Sequence, residues 1–327
     1  EQQSIRALAA VASRREAVLV EVPAVEEFSL VPHIDSTARE GLQDLYPLSP
    51  MQQGMLFHCL ESPQLNPYVN QLSVAVGGLQ VPRFRAAWQA LIERHEVLRA
   101  AFRWRDGLAD PLQAVFASVE LPIEELDWRE HRDTEKALGE LAAAEQAKGF
   151  DLSCPPLMRF ILVRLGEERY QMIWIYHHLL LDGWSASRLL GEMLRLYHHD
   201  SLPALTGRYA DYIAWLQRQD QAQSETFWRE RLASLEAPTI LASASGAAGS
   251  GHGVMYSDLD AEATRKLHRF AKRQRVTLNT LVQGAWLLLL QRHSGQRSVA
   301  FGATVAGRPT GLAGAEDMLG LFINTLP

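Results

Sequence analysis

Cysteine is scarce in this chain of 327 residues, with Cys59 and Cys154 the whole supply. Two thiols exclude a disulfide framework and a multi-cysteine metal site, and such sparing usage suits a reducing cytoplasm. Long apolar runs are also missing. The longest, such as Ala285–Leu290, fall far short of the roughly 18–20 residues needed to span a bilayer. No lysine–arginine cluster stands out. The 32 Lys+Arg face 38 Asp+Glu, a net charge of −6, which argues against nucleic acid as a partner. No GxxxxGK[ST], GxGxxG or GxSxG segment occurs, which removes the signatures of nucleotide folds and of the hydrolase elbow. His95-Glu96 opens like the zinc motif HExxH, but Arg99 stands where the second His is needed. The chain starts at Glu1, not Met, with no basic segment followed by an apolar stretch. That start, and the abrupt end at Leu326-Pro327, read as a piece of something larger.

What is present is ordinary globular material, 47% apolar and 21% charged. The length favours two domains or one bilobed unit. Ser4–Ala12 has helical spacing and is followed by a Val-, Glu- and Pro-rich stretch, the end of one unit and a linker over residues 1–27. The next body starts near Phe28 and runs to about residue 234. Ser49 is set to cap a helix whose first residue is Pro50. Leu72–Val76 alternates like a strand, and Phe84, Ala87, Trp88, Leu91 and Ile92 share a helix face over 82–95. Another strand is expected after Arg99-Ala100-Ala101-Phe102, and Asp106-Gly107 reads as a turn within a longer loop. Leu157–Leu165 and Arg169–His177, joined by Gly166-Glu167-Glu168, form a hairpin candidate. Ser185 could cap a helix with Leu189, Leu190, Met193, Leu194 and Tyr197 on one face. Helices follow over Tyr209–Leu216 and around Phe227–Leu232. Residues 235–253 hold a flexible Ala/Gly/Ser stretch. A strand at Val254–Leu259, helices at Ala261–Gln274 and Leu278–His293, and a strand at Ser298–Val305 are expected in a last segment, 254–327. Helices mixed with hairpins, without strand–helix alternation, point to the α+β class.

The sharpest local feature is Tyr176-His177-His178-Leu179-Leu180-Leu181-Asp182-Gly183-Trp184-Ser185. In an extended strand His177 and His178 would point to opposite faces and would be poor partners for one metal ion. Asp182 would then lie roughly 13 Å beyond His178 and could join it only if the chain turns at Leu179–Leu181. Gly183 would permit a tight turn or the close approach of a ligand. His198-His199 is expected to be solvated. The two cysteines, lacking an activating neighbour, are expected as small buried side chains.

Further segments share this chain order. They are Ser49–Phe57 (SPMQQGMLF), Arg94–Phe102 (RHEVLRAAF), His177–Gly183 (HHLLLDG), Tyr209–Trp215 (YADYIAW), Phe301–Pro309 (FGATVAGRP) and Gly320–Pro327 (GLFINTLP). Together they resemble the condensation domain of nonribosomal peptide synthetases over about Asp44–Pro327. The resemblance implies two lobes related to chloramphenicol acetyltransferase, arranged as a V, with the second lobe incomplete because family members continue past the last segment. It implies amide formation, in which the amine of a carrier-bound acceptor attacks a carrier-bound donor thioester. The domain itself would hold no cofactor, since both substrates ride on the phosphopantetheine of upstream donor and downstream acceptor carrier domains. Adenylation or epimerization domains would be the neighbours, with neither membrane nor nucleic acid involved.

By motif position His178 is the catalytic residue, either a base for the amine or a group that positions it and stabilises the tetrahedral species. His177, Asp182, Gly183 and Arg308 are active-site structural residues, with Asp182 paired to Arg308 across the two lobes. The alternative makes Asp182 a helix N-terminal carboxylate and Arg308 a solvated turn residue. Trp184 reads as tunnel lining or core filling; Ser49 to Gln53, with Ser49 and Gln53 foremost, read as support of the tunnel wall, against a core stripe of Met51, Met55 and Phe57. Arg94 and Arg99 are expected to pair with buried carboxylates or to orient local structure. The forms MQQGMLFH and HHLLLDGWS look closer to the subtype that takes a D-configured donor, whereas Ser4–Ala12 looks like the last helix of a preceding carrier. Two other functions fit the same motifs: epimerization of a carrier-bound residue, and noncatalytic carrier docking.

Overall fold

A computed structural model of the chain describes residues 24–33, 39–105, 108–240 and 255–327. The Ser4–Ala12 helix, the Asp106-Gly107 turn and the Ala/Gly/Ser stretch fall on residues outside these. The described residues form two compact units. The larger holds those up to Gln219 together with Val305–Asn324, and the smaller holds Asp220–Thr304 together with Thr325–Pro327.

In the larger unit the chain runs through β1 (Leu42–Pro47), α1 (Pro50–Glu61), β2 (Val69–Gly77), α2 (Val81–Arg94), β3 (Ala100–Arg103), β4 (Leu112–Phe116) and β5 (Ile123–Asp127). It continues through α3 (Thr134–Lys148), β6 (Met158–Arg164), β7 (Arg169–His177), α4 (Gly183–Tyr197) and α5 (Tyr209–Gln217). Two sheets result, β1-β4-β3 and β2-β7-β6-β5. The β6–β7 pair is the expected hairpin, and β5 joins β6 in parallel.

Alternation along β6 and β7 separates two apolar faces. Phe160, Leu162, Met172 and Trp174 point into the main core with Phe84, Trp88 and Leu91 of α2. Ile161, Val163, Ile173 and Ile175 point the other way, onto Leu138, Leu141 and Ala142 of α3. Trp88, Phe160 and Trp174 meet at ring separations of 4.5–5.8 Å, and each buried large side chain contributes about 1.5–3 kcal/mol. Every residue expected on the buried face of α2 is buried there. Leu72 and Val74 are more exposed, because β2 is an edge strand with β7 on one side only.

The smaller unit contains α6 (Gln221–Leu232), α7 (Ala261–Gln274) and α8 (Leu278–Ser294). Two short strands, β8 (Ala303–Val305) and β9 (Asn324–Leu326), pair with each other. Among the described residues no helix is long and apolar enough to cross a membrane.

Several expectations are revised. Residues 255–259 are not a strand: Met255 and Tyr256 are almost fully exposed, without the neighbouring ladder a strand requires. The strand expected over 298–305 shrinks to β8. Cys154 is exposed, not buried. The unit boundaries also differ from those expected. Residues 220–234 group with the smaller unit, and Val305–Asn324 groups with the larger. Bonds from residues 308–322 to α4 and α5, described next, hold that segment there.

Candidate active site

Strand β7 ends at His177 and the chain turns at once over residues 178–180. The geometry of the turn follows from its bonds. His178 N–H donates to the Tyr68 carbonyl (2.9 Å) and Leu180 N–H to that of His177 (3.1 Å). Leu179, Leu180 and Leu181 are buried and anchor the turn in the core. Asp182 is thereby brought back toward the site.

The two histidines adopt opposite tautomers. Leu179 N–H donates to His177 Nδ1 (3.2 Å), so that nitrogen carries the lone pair. His177 Nε2 then holds the hydrogen and faces Cys59 Sγ at 3.6 Å. Burial, with a smaller contribution from His178, lowers the His177 pKa to about 4. His177 is thus a neutral, packed imidazole. His178 Nδ1 lies 2.7 Å from the Leu181 carbonyl, which can only accept. Its hydrogen is therefore on Nδ1, so in the neutral ring the lone pair falls on Nε2, and the side chain is half-buried. Burial raises the Cys59 thiol to about 11, which keeps it protonated beside His177.

Asp182 is the N-cap of α4, a role the sequence reading gave to Ser185. Its Oδ1 accepts Ser185 N–H (2.8 Å) and its Oδ2 accepts Phe322 N–H (3.0 Å). Ser185 is the third residue of the helix, where its buried hydroxyl donates to the Gly320 carbonyl (2.8 Å) and accepts Gly320 N–H (3.1 Å). Asp182 N–H also donates to the Gly320 carbonyl, at 3.1 Å.

The Arg308 side chain is only 8% exposed, not solvated. It donates to the carbonyls of Ala315 and Met318 and to Ser185 Oγ (2.8 Å), and its Nη2 is 3.6 Å from Asp182 Oδ1. Its guanidinium lies 4.1 Å from the centre of the Phe322 ring. Burial lowers its pKa, opposed by Asp182. Asp182 therefore caps α4 and lies beside Arg308 with the same carboxylate. Asp182 and Arg308 belong to the same compact unit, so their contact lies within it.

Tyr209, at the start of α5, donates its hydroxyl hydrogen to the Leu321 carbonyl (2.7 Å) and sets its ring edge-on to Phe322. A side chain at Gly320 would start 2.2 Å from the Tyr209 ring. Gly307, at φ +63°, is still more constrained: a Cβ there would fall 1.7 Å from the Phe322 carbonyl oxygen. Gly183 needs no special backbone and is the first residue of α4, with open space where a Cβ would stand. The helix N-terminus is bare at that point.

The remaining expected residues separate. Trp184 is 60% exposed, which removes the core-filling reading, and its Nε1–H donates to the Glu316 carbonyl (3.4 Å). Ser49 is buried as the cap of α1, and Gln53 points outward. Gln52, which the sequence reading did not single out, is the side chain that reaches the histidine turn, donating to the Leu179 carbonyl at 3.1 Å. The signal was available: Ser49-x-x-Gln52 is a capping box, which orients the glutamine. Arg99 donates to the carbonyls of Ile92, Glu93 and Phe116 and so orders local backbone. Arg94 donates to the Pro203 carbonyl and lies 3.5 Å from the buried Glu192. His198 and His199 are exposed, as expected.

The family model described as "Condensation domain" matches residues 42–327. A linear gramicidin synthase of Brevibacillus parabrevis is 42% identical over 298 residues, which is 88% of this chain and 6% of that protein. Tyrocidine synthase 2 of the same organism is 35% identical, covering 89% of this chain and 8% of its own length. The chain therefore spans only a small part of these relatives. Among solved structures, the condensation domain of the monacolin K polyketide synthase MokA superposes with a TM-score of 0.70 at 18% identity, covering 88% of this chain and 68% of that one. The first condensation domain of the calcium-dependent antibiotic synthetase gives 0.68 at 21% identity, over 86% and 69%; both likenesses speak to the α+β fold. The match over residues 42–327 makes this chain a member of the condensation domain family of nonribosomal peptide synthetases.

Proposed function

We propose that the chain forms an amide bond between two carrier-bound substrates, with His178 as the catalytic residue. The observation that carries this reading is the fixed tautomer of His178. With Nδ1–H held by the Leu181 carbonyl, the Nε2 lone pair is free to accept a hydrogen from an incoming amine. The amine nitrogen attacks the thioester carbonyl carbon, a C–N bond forms and the C–S bond breaks. One amine proton leaves by way of His178 and ends on the departing pantetheine thiol. Asp182, Ser185, Arg308 and Gly320 act structurally by fixing the start of α4 and the end of the histidine turn. His177 fills the interior, and the open backbone at Gly183 and the exposed ring of Trp184 suit the passage of a pantetheine arm.

The substrates arrive on phosphopantetheine carried by upstream donor and downstream acceptor domains, in a cytoplasmic assembly line with adenylation or epimerization neighbours. MQQGMLFH and HHLLLDGWS support a D-configured donor, and side-by-side assays with D- and L-loaded donors test that preference.

The decisive experiment is mass spectrometry of loaded donor and acceptor carriers mixed with the domain in its full-length protein. Peptide should move to the acceptor, and His178→Ala should lower the rate by about a hundredfold or more while carrier binding persists. Wild-type turnover in that variant would refute the assignment.

A further inference from the structure

We propose that Gln52 and Gln113 are positioning residues that set the orientation of His178 from the core side. The inference rests on the catalytic reading of His178 but concerns groups that touch no substrate. Both amides are 1% exposed, where an unpaired polar group is costly. Gln52 Oε1 accepts Ser49 N–H (3.0 Å) in the capping box, which fixes which way the amide points. Its two Nε2 hydrogens must then face Gln113 Oε1 (2.7 Å) and the Leu179 carbonyl (3.1 Å).

The far end fixes the same directions independently. The Glu96 carboxylate, bonded by Arg208 Nε at 2.7 Å, accepts the Tyr46 hydroxyl hydrogen at 3.4 Å. The Tyr46 oxygen therefore accepts from Gln113 Nε2 (2.8 Å), which turns Gln113 Oε1 toward Gln52. Arg208 also donates to Asp44. The amide orientations of Gln52 and Gln113 are thus set from both ends, by the Ser49 N–H and by the Arg208–Glu96 pair through Tyr46.

Leu179 directly follows His178 and lies between that ring and its own acceptor, the Leu181 carbonyl. The Leu179 carbonyl belongs to the peptide plane between residues 179 and 180, inside the three-residue span that joins the His178 ring to its acceptor. The bond from Gln52 therefore acts on the imidazole that the transfer reaction uses.

The test replaces Gln52 by Met, which keeps volume and removes every hydrogen bond, and by Glu, which keeps shape but turns the paired donors into acceptors. Ser49→Ala serves as a control, since it weakens the cap of α1 but leaves the Ser49 backbone donor in place. The first readout is the 15N signals of the His178 ring, assigned by comparison with His178→Ala. Wild type and Ser49→Ala should show a single Nδ1–H tautomer, while folded Gln52→Met or Gln52→Glu should show mixed tautomers. The second is transfer kinetics, where kcat should fall about tenfold or more with the acceptor-carrier KM unchanged, as expected for a misplaced reactive group. A folded Gln52 variant with wild-type ring signals and kcat would overturn the proposal. Full transfer by His178→Ala would instead refute the catalytic reading, whatever the ring signals show, so the two failures are distinguishable.

Discussion

Replacing Asp182 by alanine should destabilise the larger unit severely, and the structure says through which bonds. The carboxylate is 1% exposed and serves three groups at once: Ser185 N–H, Phe322 N–H and, at 3.6 Å, the Arg308 guanidinium. Loss of an N-cap costs about 1 kcal/mol. An orphaned buried amide at Phe322 costs about 1–3 kcal/mol. Breaking a buried ion pair outright can cost about 3–5 kcal/mol, but Arg308 keeps Ser185 Oγ and the carbonyls of Ala315 and Met318, so only a fraction applies. The expected total is about 3–5 kcal/mol, read as a lowered urea midpoint at unchanged slope. Asp182→Asn should lose roughly half as much, since its oxygen can still cap α4 while its amide nitrogen faces the Phe322 donor. A double-mutant cycle with Arg308→Ala should give a coupling well below the total Asp182 effect, because most of the loss lies in backbone amides. An Asp182→Ala chain within about 1 kcal/mol of wild type would refute the reasoning, since even the cap alone should cost that much.

Two cheaper measurements address the neighbouring groups. His177 binds a proton less readily folded (near 4) than unfolded (near 6.5), so between these values the unfolded chain holds more protons and stability falls as pH is lowered. The full loss from this residue is about 3 kcal/mol, and His177→Gln should flatten that stretch of the stability–pH curve; an unchanged slope would contradict a neutral buried ring. For the thiols, Ellman's reagent near neutral pH should titrate the exposed Cys154 promptly and Cys59 only on unfolding, because Cys59 is buried and its pKa is raised to about 11. Equal rates for both would show that the wall beside His177 opens.

Local chemistry decided much of this protein before any packing. The buried face of α2, the Ser49–Pro50 start of α1 and the β6–β7 hairpin follow from periodicity and capping residues that act within a few positions. The ordered motifs likewise carried the family. Where the sequence reading went astray, the deciding interaction joined residues far apart in the chain. Ser185 looked like a helix cap, but Asp182 takes that role while Ser185 binds Gly320, 135 positions away. Of the Ser49–Gln53 stretch, helix phase turns Gln52 rather than Gln53 inward, toward Gln113 and Leu179. An isolated strand at 255–259 could not be excluded by composition, because strand formation depends on a neighbour that the segment itself does not encode. The hydrogen positions on His177 and His178 depend on a turn that long-range contacts hold, the Tyr68 carbonyl and the buried Leu179–Leu181: a dipeptide of identical side chains has no reason to prefer opposite tautomers. Leu179 N–H facing one ring and the Leu181 carbonyl facing the other supply it.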